Sequence, residues 1–259
     1  MANIWNTEDF APSPVFNWDV ALGRVRGYEV YNKFGENPDI DTGTDPEDVW
    51  DFGGIYTFST TADIDTVSSS DAGDNQDISI QGLDENWNMI TQTATLNGQT
   101  KVTLTTPLIR VFRMANSDDT NLAGTMYCYV DGAITAGVPD TDADVRAVII
   151  NGNNQTLMCI FTIPAGYTGM FLGGYVATTK SSGNSATFAW KARGFGGVFQ
   201  VKSKIGVVGT GSSAWTYHYG VPVVLPEKTD IKITCEEVEA NNTAVSGGFD
   251  MVLIDNDFI

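Results

Sequence analysis

Residues 155–255 form a run of short segments in which apolar and polar residues alternate, with turn residues between them at nearly regular spacing. The clearest segment is residues 197–208, where Phe199, Val201, Ile205 and Val207 share one side and Lys202 and Lys204 fall on the other. Alternation with a period of two is typical of a strand with one solvated face. The sequence therefore predicts an all-β fold, an antiparallel jelly roll or β-sandwich, with residues 197–208 as an inner strand.

The chain divides into three regions by pattern. Residues 1–47 hold apolar side chains without a steady period, which predicts an extended N-terminal arm with at most one short helix, at 17–31. Residues 48–140 predict a first β segment or domain, and residues 141–259 predict a jelly-roll β-sandwich. A long loop inside a single sandwich is equally compatible with the glycine-rich and proline-containing stretch 131–141.

Two Asn-Gly pairs lie between alternating segments, at Asn97-Gly98 and Asn151-Gly152. Asn-Gly is the strongest short signal for a hairpin, because both residues tolerate the positive φ angles of a tight turn. Each pair therefore predicts a β-hairpin.

The formal net charge is −18, from 14 basic and 32 acidic residues. Nucleic-acid binders neutralise phosphates with Lys and Arg, so direct nucleic-acid binding is not expected. No Lys or Arg lies between Lys33 and Lys101, whereas a basic neighbourhood recurs later in the chain, at Lys191, Arg193, Lys202 and Lys204. Two interpretations stay open. These residues keep the chain soluble, or they dock the acidic segment 34–100 of the same or a neighbouring copy.

Cysteine usage and the N-terminal sequence bear on the cellular compartment. Cys128, Cys159 and Cys235 each sit alone on an apolar strand pattern, which predicts three reduced core cysteines rather than a disulfide framework or a zinc site. The start of the chain lacks a signal-peptide pattern, and no apolar run reaches the ~20 residues of a membrane helix, so no membrane association is expected.

The residues of a catalytic site are mostly missing from the sequence. His218 is the single histidine and lies in an aromatic strand, and there is no Gly-x-Ser-x-Gly elbow. The acidic pairs Asp84-Glu85 and Glu236-Glu237 leave glycosidic cleavage open, because that chemistry needs two carboxylates facing each other across a cleft. The sequence therefore predicts a protein that is not an enzyme, with polysaccharide cleavage as the weakest alternative.

No cofactor is expected, but calcium stays open. Asp140, Asp142 and Asp144 alternate as calcium ligands do. An EF-hand starting at Asp140 would need Gly and Glu where Val145 and Asn151 stand, so only an irregular loop site remains.

Aromatic residues suggest two kinds of contact. The arm carries Trp5, Phe10, Phe16 and Trp18, which need a surface to bury them and are predicted assembly contacts. A second set, Trp190, Trp215, Tyr217 and Tyr219, fits an alternative role as a carbohydrate-binding module for host attachment, although core packing explains the same residues.

Several stretches of the sequence resemble a known group of proteins. They include KFGENPDIDTGTDPEDVWDFGGIYTFS, ISIQGLDENWNMITQTATLNGQT, PLIRVFRMAN, WKARGFGGVFQVKSKIGVV, YGVPVVLPEKTDIKI and SGGFDMVLID. They are similar to uncharacterised virion structural proteins of tailed bacteriophages, common in marine phages, over most of residues 28–255. The resemblance carries no catalytic residue.

The resemblance implies a multi-copy virion subunit of jelly-roll type, assembled in the cytoplasm of the host bacterium. It would sit on the head exterior or a vertex, as a decoration or fibre-base protein, or at the neck or tail. Its partners would be copies of itself and capsid, portal, neck or tail proteins.

Overall fold

A computed structural model describes residues 16–259, with the backbone alone at 179–184 and 209–212. One α-helix, α1 (Phe16–Ala21), precedes the strands, and short 3₁₀ helices span Asp142–Asp144 and Asn256–Phe258. The strands are β1 (Tyr28–Ile40), β2 (Glu47–Asp48), β3 (Ile64–Ser69), β4 (Asp77–Leu83), β5 (Met89–Thr95), β6 (Val102–Leu108), β7 (Arg110–Asn116), β8 (Met126–Val130), β9 (Ile134–Thr135), β10 (Val138–Pro139), β11 (Val145–Ile149), β12 (Ile160–Thr162), β13 (Tyr167–Arg193), β14 (Gln200–Leu225), β15 (Asp230–Val238) and β16 (Thr243–Asp255).

The strands form antiparallel sheets, which confirms the predicted all-β sandwich class. The largest sheet has the order β1-β16-β13-β15-β12, with β14 paired to β13 and β2 paired to β15. A four-stranded sheet has the order β11-β8-β3-β6, and a three-stranded sheet has the order β5-β4-β7. The small pair β10-β9 completes the described sheets.

β13 and β14 form a long hairpin, and β13 joins this hairpin to the rest of the large sheet. The two strands pair from Ala192 opposite Gln200 to Gly169 opposite Leu225. The other edge of β13 pairs first with β16 and then with β15. Within the described residues β14 pairs with β13 alone, so it lies at the edge of the sheet. The prediction of residues 197–208 as an inner strand was wrong, because alternation reports a solvated face but not the number of paired edges.

Glycine and serine residues continue these strands rather than end them. Residues 209–214 fit a link between two strands by composition, yet they lie inside β14. The register places Thr179 opposite Ser212 and Asn184 opposite Gly209, so the small-residue stretches of the two strands face each other. The ladder continues across them with one register shift, between residues 180 and 184.

Part of the predicted arm belongs to the large sheet. β1 pairs with β16 from Tyr28 opposite Ile254 to Ile40 opposite Thr243. The helix is confined to Phe16–Ala21 and does not extend over 17–31, because Gly23 and Gly27 adopt φ angles of 67° and 74° that no helix accommodates. Trp5 and Phe10 lie outside the described residues.

Both Asn-Gly pairs form turns, but neither turn makes a hairpin. Asn97 bridges Thr100, and Gly98 has a φ of 54°. The flanking strands β5 and β6 nevertheless belong to different sheets, as do β11 and β12 on either side of Asn151-Gly152. The hairpin prediction was wrong at both places, because a turn sequence sets the chain reversal and not the sheet that each strand joins.

Two hydrophobic cores hold the sheets together. One core contains residues of the large sheet with Leu83, Ile109 and Phe112, and the other is built mainly from the four-stranded and three-stranded sheets. β7 contributes to both, through Phe112 on one side and Val111 on the other. β11 follows the predicted boundary at 140 yet pairs with β8, and β2 precedes it yet pairs with β15. Each of the two predicted β segments therefore contributes a strand to a sheet built mainly by the other.

Candidate functional site: an assembly edge and an aromatic cleft

The middle of the chain is free of acidic residues. No Asp or Glu occurs between Asp144 and Glu227, although the whole chain carries 32. This stretch contains β13 and β14 in full. The long hairpin is therefore a neutral-to-basic element in an acidic protein, and it does not repel an acidic surface.

The edge strand β14 exposes apolar side chains along its length. Val208 is 80% exposed and Val221 is 81% exposed, and Val201, Trp215 and Val224 are also exposed. Pro222 fits an edge position, because proline lacks the N–H that an inner strand needs. An unpaired strand edge is a template for pairing with another chain, and proteins usually shield it. A 26-residue edge with exposed valines is therefore the strongest candidate for an assembly contact.

The four predicted basic contacts separate into two pairs. Lys191 Nζ lies 2.5 Å from Glu236 Oε1, and Arg193 Nε lies 2.8 Å from Asp230 Oδ2, so both are engaged within the chain. Lys202 and Lys204 are exposed on β14 and form no ion pair with a described carboxylate. Contact of these four residues with another copy stays a prediction. Lys202 and Lys204 are the two whose exposed side chains are available for such a contact.

Asp230, at the start of β15, links several elements and gives no signal in the sequence. Its carboxylate accepts hydrogen bonds from Arg110 Nε at 2.9 Å, from Thr162 Oγ1 at 2.6 Å and from Arg193 Nε at 2.8 Å. Arg110 and Asp230 are both buried. The pair ties β7 of the three-stranded sheet to β12, β13 and β15 of the large sheet.

A cleft opens beside this ion pair, with a volume of about 330 Å³. Three turns meet there. Trp87 comes from the β4–β5 turn, Phe195 from the tip of the β13–β14 hairpin and Lys228 from the β14–β15 turn. The remaining lining includes Ser59, Thr60, Arg110, Arg193 and Asp230. Sequence patterns could not find this cleft, because its residues are distant in the chain and lie in turns.

The aromatic rings and the cationic side chains of this cleft lie close to one another. The Trp87 and Phe195 rings meet edge to face at 5.5 Å and 89°. Lys228 Nζ lies 5.9 Å from the centre of Trp87 and 5.5 Å from that of Phe195, and Arg110 Cζ lies 4.9 Å from Trp87. Lys228 forms no ion pair with any described carboxylate.

Two residues of the cleft have unusual backbone conformations. Trp87 has a φ of 67° and Lys228 a φ of 59°. Positive φ angles are rare for bulky residues and cost about 1–3 kcal/mol, and such residues cluster at binding sites. Backbone hydrogen bonds hold both in place, from Ala165 N to Trp87 O at 2.9 Å and from Lys228 N to Ile163 O at 2.8 Å.

The described arm residues are partly exposed. Trp18 is 63% exposed, and Phe16 packs edge to face on Tyr28 at 5.8 Å. Of the aromatics suggested for the alternative sugar-binding role, Trp190 is buried and stacks on Phe171 at 4.0 Å, so core packing accounts for it. Tyr217 and Tyr219 pack against the same core, and Trp215 is exposed on β14.

The candidate catalytic residues lie in separate settings. His218 is exposed on β14, whereas Cys128, Cys159 and Cys235 are free and buried, as predicted. Burial raises the pKa of the Cys128 and Cys235 thiols to about 12, so neither is a ready nucleophile. Asp84 accepts hydrogen bonds from the backbone of Asn86 and Asn88 and so shapes a turn.

The residues proposed for an irregular calcium site lie around a 3₁₀ helix, at Asp142–Asp144. Over residues 16–259 no three His, Cys, Asp or Glu side chains gather closely enough to hold a metal ion. The same residues contain no helix with the length and apolar character of a membrane span.

Comparison with solved structures finds distant likenesses. No protein-family model matches the chain. No curated protein matches it either. A structure of infectious bursal disease virus, Gx strain, aligns with a TM-score of 0.24 and 13% identity, covering 88% of this chain and 72% of that chain. A crystal structure of the VP2 subviral particle of the same virus aligns with a TM-score of 0.23 and 13% identity, over 88% of this chain and 73% of that chain. TM-scores this low carry no argument about what the chain does.

Proposed function

We propose that this protein is a multi-copy structural subunit of a virion of a tailed bacteriophage and has no catalytic role. The observation that carries the proposal is the edge of β14 that pairs with no strand within residues 16–259, which offers 26 residues of backbone and several exposed valines to a neighbour. Its partners are other copies of the chain and, in the particle, capsid, portal, neck or tail proteins. Assembly takes place in the host cytoplasm, in keeping with three reduced cysteines.

The partner of β14 is a second copy of the chain. The opposite end of the same sheet is β1, whose exposed or half-exposed side chains include Glu29, Glu36 and Asp39. A sheet that continues from β14 of one copy to β1 of the next would bring these carboxylates toward Lys202 and Lys204. Charge complementarity of this kind sets the register and the partner of an interface.

The proposal of a phage protein rests on the resemblance of the sequence stretches given under Sequence analysis, which covers most of residues 28–255. A strongly acidic exterior also suits a protein that stands beside packaged DNA or among other acidic virion proteins without binding them.

A substitution at the strand edge tests the assembly role. Val208→Asp is expected to convert the full-length protein from oligomer to monomer, because it buries a charge at the interface without a partner. The measurement is molar mass by light scattering during size-exclusion chromatography. Val198→Asp is the matched control. Val198 is 78% exposed but lies in the turn before β14, so this variant is expected to keep the wild-type mass.

A monomeric wild-type protein at every concentration tested would contradict self-assembly through β14, as would equal masses for the Val208→Asp variant and the wild type. Copy number in purified particles tests the location. Counts that follow icosahedral symmetry place the protein on the head, fivefold groups at a vertex, and sixfold or twelvefold rings at the neck or tail.

The carbohydrate-binding role remains a second candidate. A specific observation favours it, namely the cleft in which Trp87 and Phe195 meet beside cationic side chains.

A further inference from the structure

We propose that the cleft formed by Trp87, Phe195 and Lys228 binds a sugar unit that carries a carboxylate, as part of an acidic glycan. The proposal stands on the cleft alone and goes beyond the assembly role, because none of these three residues lies in β14. The volume of about 330 Å³ falls at the lower end of ordinary small-ligand sites, which suits one sugar unit with its neighbours outside.

The charge of the cleft selects an anion. Arg110, Arg193 and Lys228 line it against the single carboxylate of Asp230, which both arginines already share. The Lys228 ammonium is left without a described carboxylate partner, so an acidic ligand would supply the missing charge. Glu85 lines the adjoining cavity with Trp87 and Phe195, which limits how many negative charges a ligand can bring.

The shape of the cleft selects a ligand with an apolar face. Phe195 is 69% exposed at the hairpin tip, and its ring stands perpendicular to Trp87, so the two rings make an apolar corner. An inorganic anion would leave that corner unused, and a purely apolar ligand would leave Lys228 unpaired. A sugar acid presents C–H groups to the rings and a carboxylate to the ammonium, and Thr60 also lines the cleft.

The backbone of the cleft is already arranged for a ligand. Trp87 and Lys228 hold left-handed conformations through hydrogen bonds to residues 163 and 165, near the start of β13. A site fixed in the free protein loses less conformational freedom on binding, which is the usual reason for storing strain in a binding site. Long polyphosphates fit less well, because the net charge of −18 repels a polyanion beyond the cleft.

Isothermal titration of the full-length protein tests the site. The probes are a short oligomer of glucuronic acid and a neutral oligomer of glucose with the same length and linkage. The acidic oligomer is expected to bind at millimolar concentration, with the neutral oligomer weaker by about tenfold, which is the loss of one charge-assisted hydrogen bond.

Variants locate the binding. Lys228→Met and Phe195→Ala are each expected to weaken binding of the acidic oligomer by about tenfold. Lys202→Met, at an exposed lysine of β14, is the matched control and is expected to bind like the wild type. Circular dichroism of each variant shows that the fold is kept.

Three results would overturn the proposal: no heat with the acidic oligomer, equal affinity for the two oligomers, or unchanged binding by the Lys228→Met variant. The oligomer mass of the Lys228→Met variant separates the two proposals, because loss of sugar binding with unchanged mass affects this site alone.

Discussion

Replacing Asp230 by alanine is expected to lower the free energy of unfolding by about 3–5 kcal/mol, the cost of leaving a buried partner charge uncompensated. Arg110 is buried and receives its countercharge from Asp230, at 2.9 Å. The loss extends across the fold, since the same carboxylate accepts hydrogen bonds from Thr162 and Arg193. Urea unfolding followed by tryptophan fluorescence measures the change.

An exposed ion pair supplies the control for Asp230. Asp131 lies 2.6 Å from Lys101, and both side chains are open to solvent. Asp131→Ala is expected to leave stability nearly unchanged, because water screens such pairs. Equal losses for Asp230→Ala and Asp131→Ala would show that the buried pair does not hold the two sheets together.

Between pH 7 and pH 10 the folded protein is expected to gain stability through Lys33. Lys33 is buried on β1 and donates a hydrogen bond to the carbonyl of Phe112. Burial, and then the charge of Arg113, lower the pKa of Lys33 from 10.5 to about 7. In this range the unfolded chain holds a proton on Lys33 that the folded chain has lost. Raising the pH therefore favours the folded state, by up to about 1.4 kcal/mol per pH unit.

The measurement is the urea midpoint of the wild type and of Lys33→Met from pH 7 to pH 10. The rise with pH is expected in the wild type and not in the variant, and parallel curves would contradict it. Asp51 provides a control of opposite sign. Burial raises the pKa of Asp51 to about 7, so its contribution falls as the pH rises from about 4 to 7. In a series extended down to pH 4, Asp51→Asn should therefore change the slope between pH 4 and pH 7 and leave the rise between pH 7 and pH 10 in place.

The sequence predicted strands better than it predicted their partners. Most of the alternating segment 197–208 lies in the strand Gln200–Leu225, as expected. Alternation is a local property, and it survives whichever sheet a strand joins. Pairing is a long-range property, so the strands flanking Asn97-Gly98 and Asn151-Gly152 went to different sheets although the turns formed.

The same distinction holds for the candidate sites. Lys202 and Lys204 stood out in the sequence because basic residues are scarce, and the structure places them on an open strand edge. Trp87, Phe195 and Lys228 had no shared pattern, since each comes from a different turn. Only the sheet order brings those turns to one side of Asp230.

The unbroken course of β13 has a mechanical consequence. β14 pairs with β13 from Gln200 to Leu225 with three register shifts, and the far side of β13 pairs with β16 and then with β15. A pull along β14 from an attached neighbour would load this ladder in shear, so that many hydrogen bonds resist at once instead of opening in sequence. The hairpin would then spread a pulling force over the paired strands of the large sheet.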